Sequence, residues 1–290
     1  MNSFKPADSL NILFSLFLLV VTVAYRDVIR GAEYLMLIYV SIAFFQLVLC
    51  RLAAVNGFLR LTRDLIFPVV SVLIVFDSLG LIVHSINPRD IDYLLIRADY
   101  LILGGYPTVF LERFIYPKLT DILQIAYSTY YFIPLTLGVV LKLKKDNVAF
   151  ERSLFVILLC FYLSYLGYML FPALGPRYSM EHMQSVDVGG FLVSKPIQDT
   201  LNLLEGIKRD AFPSGHTAIA LTVLCLAYRY VRTVFWILLV PVSLLIFATV
   251  YCRYHYVVDV AGGVILAVVT LAAGEVYYNF RKRHEDGFSA

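Results

Sequence analysis

His255 and Asp259 stand four residues apart in the stretch Arg253-Tyr-His-Tyr-Val-Val-Asp259. On a helix that spacing places both side chains on one face, where a carboxylate can accept the imidazole N–H, orient the ring and raise its basicity. The other ring nitrogen is then a nucleophile suited to phosphorus, and Asp259 would stabilise the charge of the resulting phosphohistidine. Alone, the same spacing also describes a structural pair, since buried polar groups need hydrogen-bond partners in any case.

A second group lies upstream in Asp210-Ala-Phe-Pro-Ser-Gly-His216. Pro213 and Ser214 suit the opening of a helix, with Ser214 as its cap, and Gly215 lets a substrate oxygen approach exposed backbone N–H groups. A helix mouth of this kind is an anion cradle. His216, one turn inside it, is placed either to protonate a departing alkoxide or simply to cap the helix. Two arginines complete the set: Arg177, within Pro172-Ala-Leu-Gly-Pro-Arg-Tyr178, and Arg253. A guanidinium fork binds phosphate oxygens bidentately and neutralises transition-state charge. Arg253 has snorkelling to lipid headgroups as a competing role. Lys208 and Arg209 precede the cradle as auxiliary cations or as solvated charges.

The elements that must position these residues are membrane helices. The 290-residue chain is 60% hydrophobic and only 16% charged, where soluble domains carry about 25% charged residues. Eight segments approach the length of a span, at roughly 8–25, 34–50, 65–86, 122–141, 153–171, 214–231, 234–251 and 256–279. The fold class expected is therefore all-α, a polytopic bundle of about eight transmembrane helices. Arg51, Arg60 and Arg63, then Lys142, Lys144, Lys145 and Arg152, then Arg229 and Arg232, then Arg281, Lys282 and Arg283 follow every second segment. The positive-inside rule puts those loops and both termini in the cytoplasm, and the chemistry-bearing residues on the exoplasmic face. Pro241 is the clearest irregularity within a span.

The run after Lys5 reads as a retained anchor, because Val23-Ala-Tyr-Arg26 offers no small-x-small cleavage site. Cys50, Cys160, Cys225 and Cys252 are scattered, which suggests neither a disulfide framework nor a metal site. A net charge of +3 is mostly the positive-inside signal and gives nucleic-acid binding no support. In the loop 87–121, Ile91, Leu94, Leu95, Ala98 and Ile102 fall at helical spacing while Asp90, Asp92, Arg97 and Asp99 take other faces. That predicts a helix along the membrane surface, either a packing cap or a lipid-guiding groove.

Pro213-Ser-Gly-His216 and His255-x-x-x-Asp259 resemble the second and third signature motifs of the type 2 phosphatidic acid phosphatase superfamily. The resemblance implies a six-helix catalytic core with its site at the exoplasmic end and no metal or other cofactor. It also implies His255 as nucleophile, His216 as the acid for the leaving group, Asp259 as the residue holding the nucleophile, and Ser214 and Gly215 as phosphate binders. Two positions depart from the family pattern: Leu170 stands where the first motif has lysine, and Thr249 where the third has arginine. Arg177 and Arg253, with Lys208, are then the cations expected at the phosphate. Asp92, Asp99, Gly104-Gly-Tyr-Pro-Thr108 and Leu111-Glu112 resemble the branch that includes inositol phosphorylceramide synthases.

The expected organisation is two N-terminal helices and a basic loop over 1–64, a catalytic core over 65–280 that includes 87–121, and a cytoplasmic tail over 281–290. The expected activity is metal-independent hydrolysis of a lipid phosphate or pyrophosphate through a phosphohistidine. Transfer of the phospho-headgroup to an alcohol acceptor is the alternative. A transporter or flippase would instead place its charges near the bilayer midplane on broken helices.

Overall fold

The computed structural model describes residues 4–204 and 208–287, and among them the only regular structure is helical. The order is α1 (Pro6–Ala24), α2 (Ala32–Leu52), α3 (Gly57–Ile86), α4 (Asp92–Leu103), α5 (Pro107–Phe114), α6 (Pro117–Tyr131), α7 (Ile133–Leu143), α8 (Asn147–Leu170), α9 (Ser194–Leu204), α10 (Gly215–Tyr230), α11 (Arg232–Tyr251) and α12 (Val257–Gly287). Prolines open several of them, where the missing N–H costs nothing: Pro6, Pro107, Pro117 and Pro134. Asp146 and Ser214 cap α8 and α10 with their side-chain oxygens. The residues 205–207 of the long loop 172–213, and 288–290 of the expected tail, lie outside the described residues; α12 continues through the start of that tail.

Among the described residues six helices are long and apolar enough to cross a membrane: α1, α2, α3, α8, α11 and α12. The chain is a multi-pass membrane protein. Two further apolar stretches are bent, α4–α5 by 65° and α6–α7 by 50°. The bend in the segment expected over 122–141 falls at residues 131–133, just ahead of Pro134, whereas α11 runs unbroken through Pro241. Pro134 starts a new helix and restricts the residue before it; Pro241 sits in a helix already held on its flanks. α10 has 16 residues and covers about 24 Å, short of a core of ~30 Å.

α10 is the hub, packed against α7, α8, α11 and α12. Its buried Ala218, Ala220 and Ala227 let these neighbours approach closely, as small residues do where hydrophobic burial cannot drive helix association. α8 is buried along most of its length and touches α1, α3, α7, α10 and α12. The outward faces carry exposed Trp236, Ile237 and Val240, a surface that belongs against lipid.

α4 reverses the orientation its periodicity suggests. Its buried side chains are Asp92, Leu95 and Asp99, one stripe at helical spacing, while Leu94, Leu101 and Ile102 point outward. The carboxylates face in because backbone N–H groups of other segments await them there. α4 is in that respect a brace for the core. Asp121 of α6 does similar work, accepting the backbone N–H groups of Phe191, Leu192, Val193 and Ser194 at the start of α9.

Candidate active site

The turn between α11 and α12 sets the position of His255. The carbonyl of Thr249 accepts the N–H groups of both Tyr254 and His255 at 2.9 Å, and Arg253 takes a left-handed conformation, φ 65°. A non-glycine residue there costs about 1–2 kcal/mol, a strain that clusters at functional sites. The start of α12 is capped from outside: Asp99 accepts the N–H groups of Val257 and Val258 at 3.0 and 2.8 Å. Asp259 accepts the N–H of Tyr256 at 2.9 Å, and its own carbonyl takes the N–H of Ser214 at 3.1 Å. That last bond ties the mouth of α10 to the first turn of α12.

His216 and His255, 39 residues apart, meet across this junction. His255 Nε2 lies 3.5 Å from His216 Nδ1. His255 Nδ1 lies 2.8 Å from the carbonyl oxygen of Ala211 and 3.5 Å from Asp259 Oδ2. The nearer acceptor of the ring proton is thus a backbone carbonyl, with the carboxylate beside it as a charge. Because a carbonyl only accepts, Nδ1 carries the proton, and in the neutral ring Nε2 then keeps its lone pair. His216 is stacked on Tyr127 at 4.5 Å between centroids and leans on Tyr130 at 4.2 Å. Three buried polar atoms in and beside the cluster have no hydrogen-bond partner: His216 Nε2, Asp259 Oδ1 and Arg253 Nε.

Ser214 caps α10 as expected, its Oγ accepting the N–H of Thr217 at 3.3 Å. Glycine at 215 has a different immediate reason from the one its motif suggests: a Cβ there would lie 2.2 Å from the Tyr168 hydroxyl. Gly175 is held at φ 87° with its would-be Cβ 2.5 Å from the carbonyl of Tyr254, so the loop before Arg177 lies directly on the His255 turn. Asp92 secures that loop, accepting from the N–H groups of Leu174 and Gly175, the Ser179 hydroxyl and the Tyr256 hydroxyl at 2.7–2.9 Å.

The expected cations do not all converge. Arg253 turns its guanidinium into a bracket formed by Glu112 at 2.8 Å, Gln184 at 3.1 Å and the carbonyl of Val186 at 2.6 Å. Burial lowers its pKa against the opposing pull of Glu112 and Asp187. Desolvation acts to raise the Glu112 carboxyl, but hydrogen bonds from Ser185 and the charge of Arg253 hold it below its ordinary value. Arg177 joins its N–H to the carbonyl of Arg253 at 2.9 Å, and its guanidinium and the Lys208 ammonium both lie beside the Tyr178 ring, at 5.8 and 5.7 Å. Arg209 is paired with Asp90 at 2.7 Å. Asp210 stands at the His216 end of an apolar cleft, and burial pushes its carboxyl up to about 6, with the charge of His255 opposing.

Sequence reasoning missed Ala211, Tyr127, Tyr130 and Asp210. A backbone carbonyl has no sequence signature; Tyr127 and Tyr130 are three apart in the run Tyr127-Ser-Thr-Tyr-Tyr131, and a tyrosine cluster at helical spacing was the available signal.

With this geometry in view, comparison with known families is informative: a profile described as PAP2 superfamily matches residues 107–273, more than half of the chain. The chain belongs to the PAP2 superfamily. Its activity is accordingly of the phosphatase or phosphotransferase type, on lipid phosphates. The matched segment runs from α5 into α12 and contains every site residue named above except Asp90, Asp92 and Asp99. No curated protein and no solved structure matches the chain.

Proposed function

We propose that the protein is a metal-independent lipid phosphatase acting through a phosphohistidine, with His255 as nucleophile. The observation that carries this is the bond from His255 Nδ1 to the Ala211 carbonyl, which leaves the Nε2 lone pair facing His216. Nε2 attacks phosphorus; the N–P bond forms as the P–O bond to the lipid breaks. In an in-line displacement the leaving oxygen departs on the side opposite the nucleophile. His216 Nδ1, 3.5 Å from Nε2, is too near the attacking atom for that task. His216 Nε2, one ring-width farther and without a partner, is the nitrogen that reaches the leaving oxygen and gives it a proton. Water then attacks the phosphohistidine, His216 takes its proton, and phosphate departs as the free His255 is restored.

Asp259 stabilises the imidazolium that forms, through charge rather than as first acceptor. Ser214 and Gly215 present the α10 mouth to phosphate oxygens, and Arg177 with Lys208 supplies positive charge from the neighbouring loop. Arg253 acts from its bracket with Glu112, with its Nε left without a partner for a phosphate oxygen. We assign residues 65–280 to the catalytic core, with the α1–α2 hairpin docked on it, and place the site on the exoplasmic face by the distribution of lysine and arginine.

The test is phosphate release from a panel of lipid phosphates by purified protein in chelator, beside His255→Ala, with and without alcohol acceptors. Release that His255→Ala loses is expected, together with a ³²P-labelled, acid-labile and base-stable protein adduct in the native chain. Acceptor-dependent phospholipid with little free phosphate would assign transfer instead, and turnover unchanged in His255→Ala would overturn the mechanism.

A further inference from the structure

An apolar cleft leads from His216 into the bundle. His216, Asp210 and Tyr168 stand at one end, Asp64 and Phe150 at the other. Along α8 the lining runs from Tyr168 to Phe150, about 27 Å at 1.5 Å per residue; one leaflet of a bilayer core of ~30 Å offers about half of that. One wall is α3, whose Pro68, Val72 and Phe76 recur at every fourth residue. α3 lies outside the segment that matches the superfamily. The facing wall is the bent α6–α7 junction with Tyr130, Pro134 and Gly138. Val69, Leu73 and Leu135 line the same cleft and are 42%, 46% and 37% exposed, so it opens sideways between α3 and α7.

We propose that this cleft takes the apolar chain of the phosphorylated substrate, and that Leu65, Gly138 and Phe150 at its floor set the chain length it accepts. The assignment rests on the catalytic reading above, because His216, buried and with its Nε2 lacking a partner, lines the catalytic end of the cleft. The leaving oxygen and the first carbon of its chain therefore enter there. At the floor, a Cβ on Gly138 would lie 3.4 Å from Leu65 Cδ2 and 3.7 Å from Phe150 Cε2. Alanine would fill that gap, and anything larger would close it. Beneath, Asp64 is bonded to both Lys5 and Lys142, and Lys142 rests over the Phe150 ring at 4.1 Å. A hydrocarbon chain cannot pass such a group without desolvating its charges. The cleft thus has a fixed end, and its depth exceeds what a chain confined to one leaflet would fill.

Full-length protein is assayed with single-chain alkyl phosphates of increasing length. kcat/KM should reach an optimum at a defined length, and Gly138→Leu should move that optimum to shorter chains. A second measurement does not depend on catalysis or on that variant folding: an alkyl phosphate with a diazirine at its terminal carbon is photolysed on His255→Ala protein, and the label should map to Leu65 or Phe150. Label on the outward residues Trp236 or Ile237, with the same length profile in native and Gly138→Leu protein, overturns the proposal. Label at the floor without turnover of any alkyl phosphate would support the cleft and sink the catalytic reading. Turnover lost with His255 while the label misses the floor would sink the cleft alone.

Discussion

Asp8, Asn11, Gln46 and Tyr162 form one buried polar chain, between α1, α2 and α8, and His216, His255 and Asp259 form another, at the mouths of α10 and α12. In the first, every bond closes: Gln46 donates to Asp8 at 2.8 Å, Asn11 donates to Gln46 at 2.8 Å, and the Tyr162 hydroxyl donates to Asn11. In the second, His216 Nε2 and Asp259 Oδ1 are left without partners, and so is Arg253 Nε alongside. A buried polar atom with no partner costs about 1–3 kcal/mol. The closed chain uses its polarity to fix one helix pair against another; the open one holds unspent hydrogen-bonding capacity where a phosphate ester fits. Burial and polarity are alike in the two places, and satisfaction is what separates scaffold from site.

The largest effects should come from the open cluster. His255→Ala should lower kcat by about 10⁴-fold or more, and His216→Ala by about 10²- to 10⁴-fold. An aryl phosphate, whose leaving group needs no proton, should recover most of the His216→Ala loss and none of the His255→Ala loss. Equal losses on aryl and alkyl substrates would mean that His216 is scaffold after all.

Arg253→Lys tests whether the bracket with Glu112 belongs to the site or to the frame. An ammonium cannot reproduce a fork that meets Glu112, Gln184 and Val186 together, so kcat/KM should fall about 10- to 100-fold. Most of that fall should be in kcat if Nε meets the phosphate only in the transition state. A variant with lower thermal stability and unaltered kinetics would move Arg253 to the structural side.

Gln46→Leu should do the opposite. It strands Asn11 and Asp8 and should cost about 1–3 kcal/mol of stability, read as a lower midpoint of thermal unfolding in detergent, while kcat of the folded protein stays as it was. A kinetic defect without a stability defect would erase the distinction between the two clusters.

The smallest expected effect is a pH slope from Asp210. Its folded value of about 6 is above the ordinary 3.8, so the folded state binds the proton more tightly. Stability from this group therefore rises as pH falls from about 6 toward 3.8, and is lost as pH rises through 6. Asp210→Asn should flatten that slope in melting curves across the same window; an unchanged slope would assign it to other groups.

The helical class and the membrane setting were legible because they depend on composition and on periodicity; the spacing of His255 and Asp259 brought their side chains near one another, but the closer acceptor of the ring proton is the Ala211 carbonyl. The role of α4 was not. Asp92 and Asp99 were visible as acidic residues on an amphipathic helix, but their donors are the backbone N–H groups of Leu174, Gly175, Val257 and Val258, more than 80 residues away in sequence. Backbone donors look the same in every residue, so no pattern announces where a carboxylate is needed. Gly215 was singled out by its motif, yet the neighbour that requires it is Tyr168, from a different helix.

The sequence by itself determined an apolar multi-helix bundle and which side chains stand at helix mouths, because periodicity and capping are local. Only the tertiary structure decided that the Ala211 carbonyl fixes the His255 tautomer, that Arg253 turns to Glu112, and that α3 walls a cleft ending at Gly138. Each of these depends on which distant segments pack together, and that choice is made by the shape and hydrogen-bonding balance of the whole bundle rather than by any one stretch of chain.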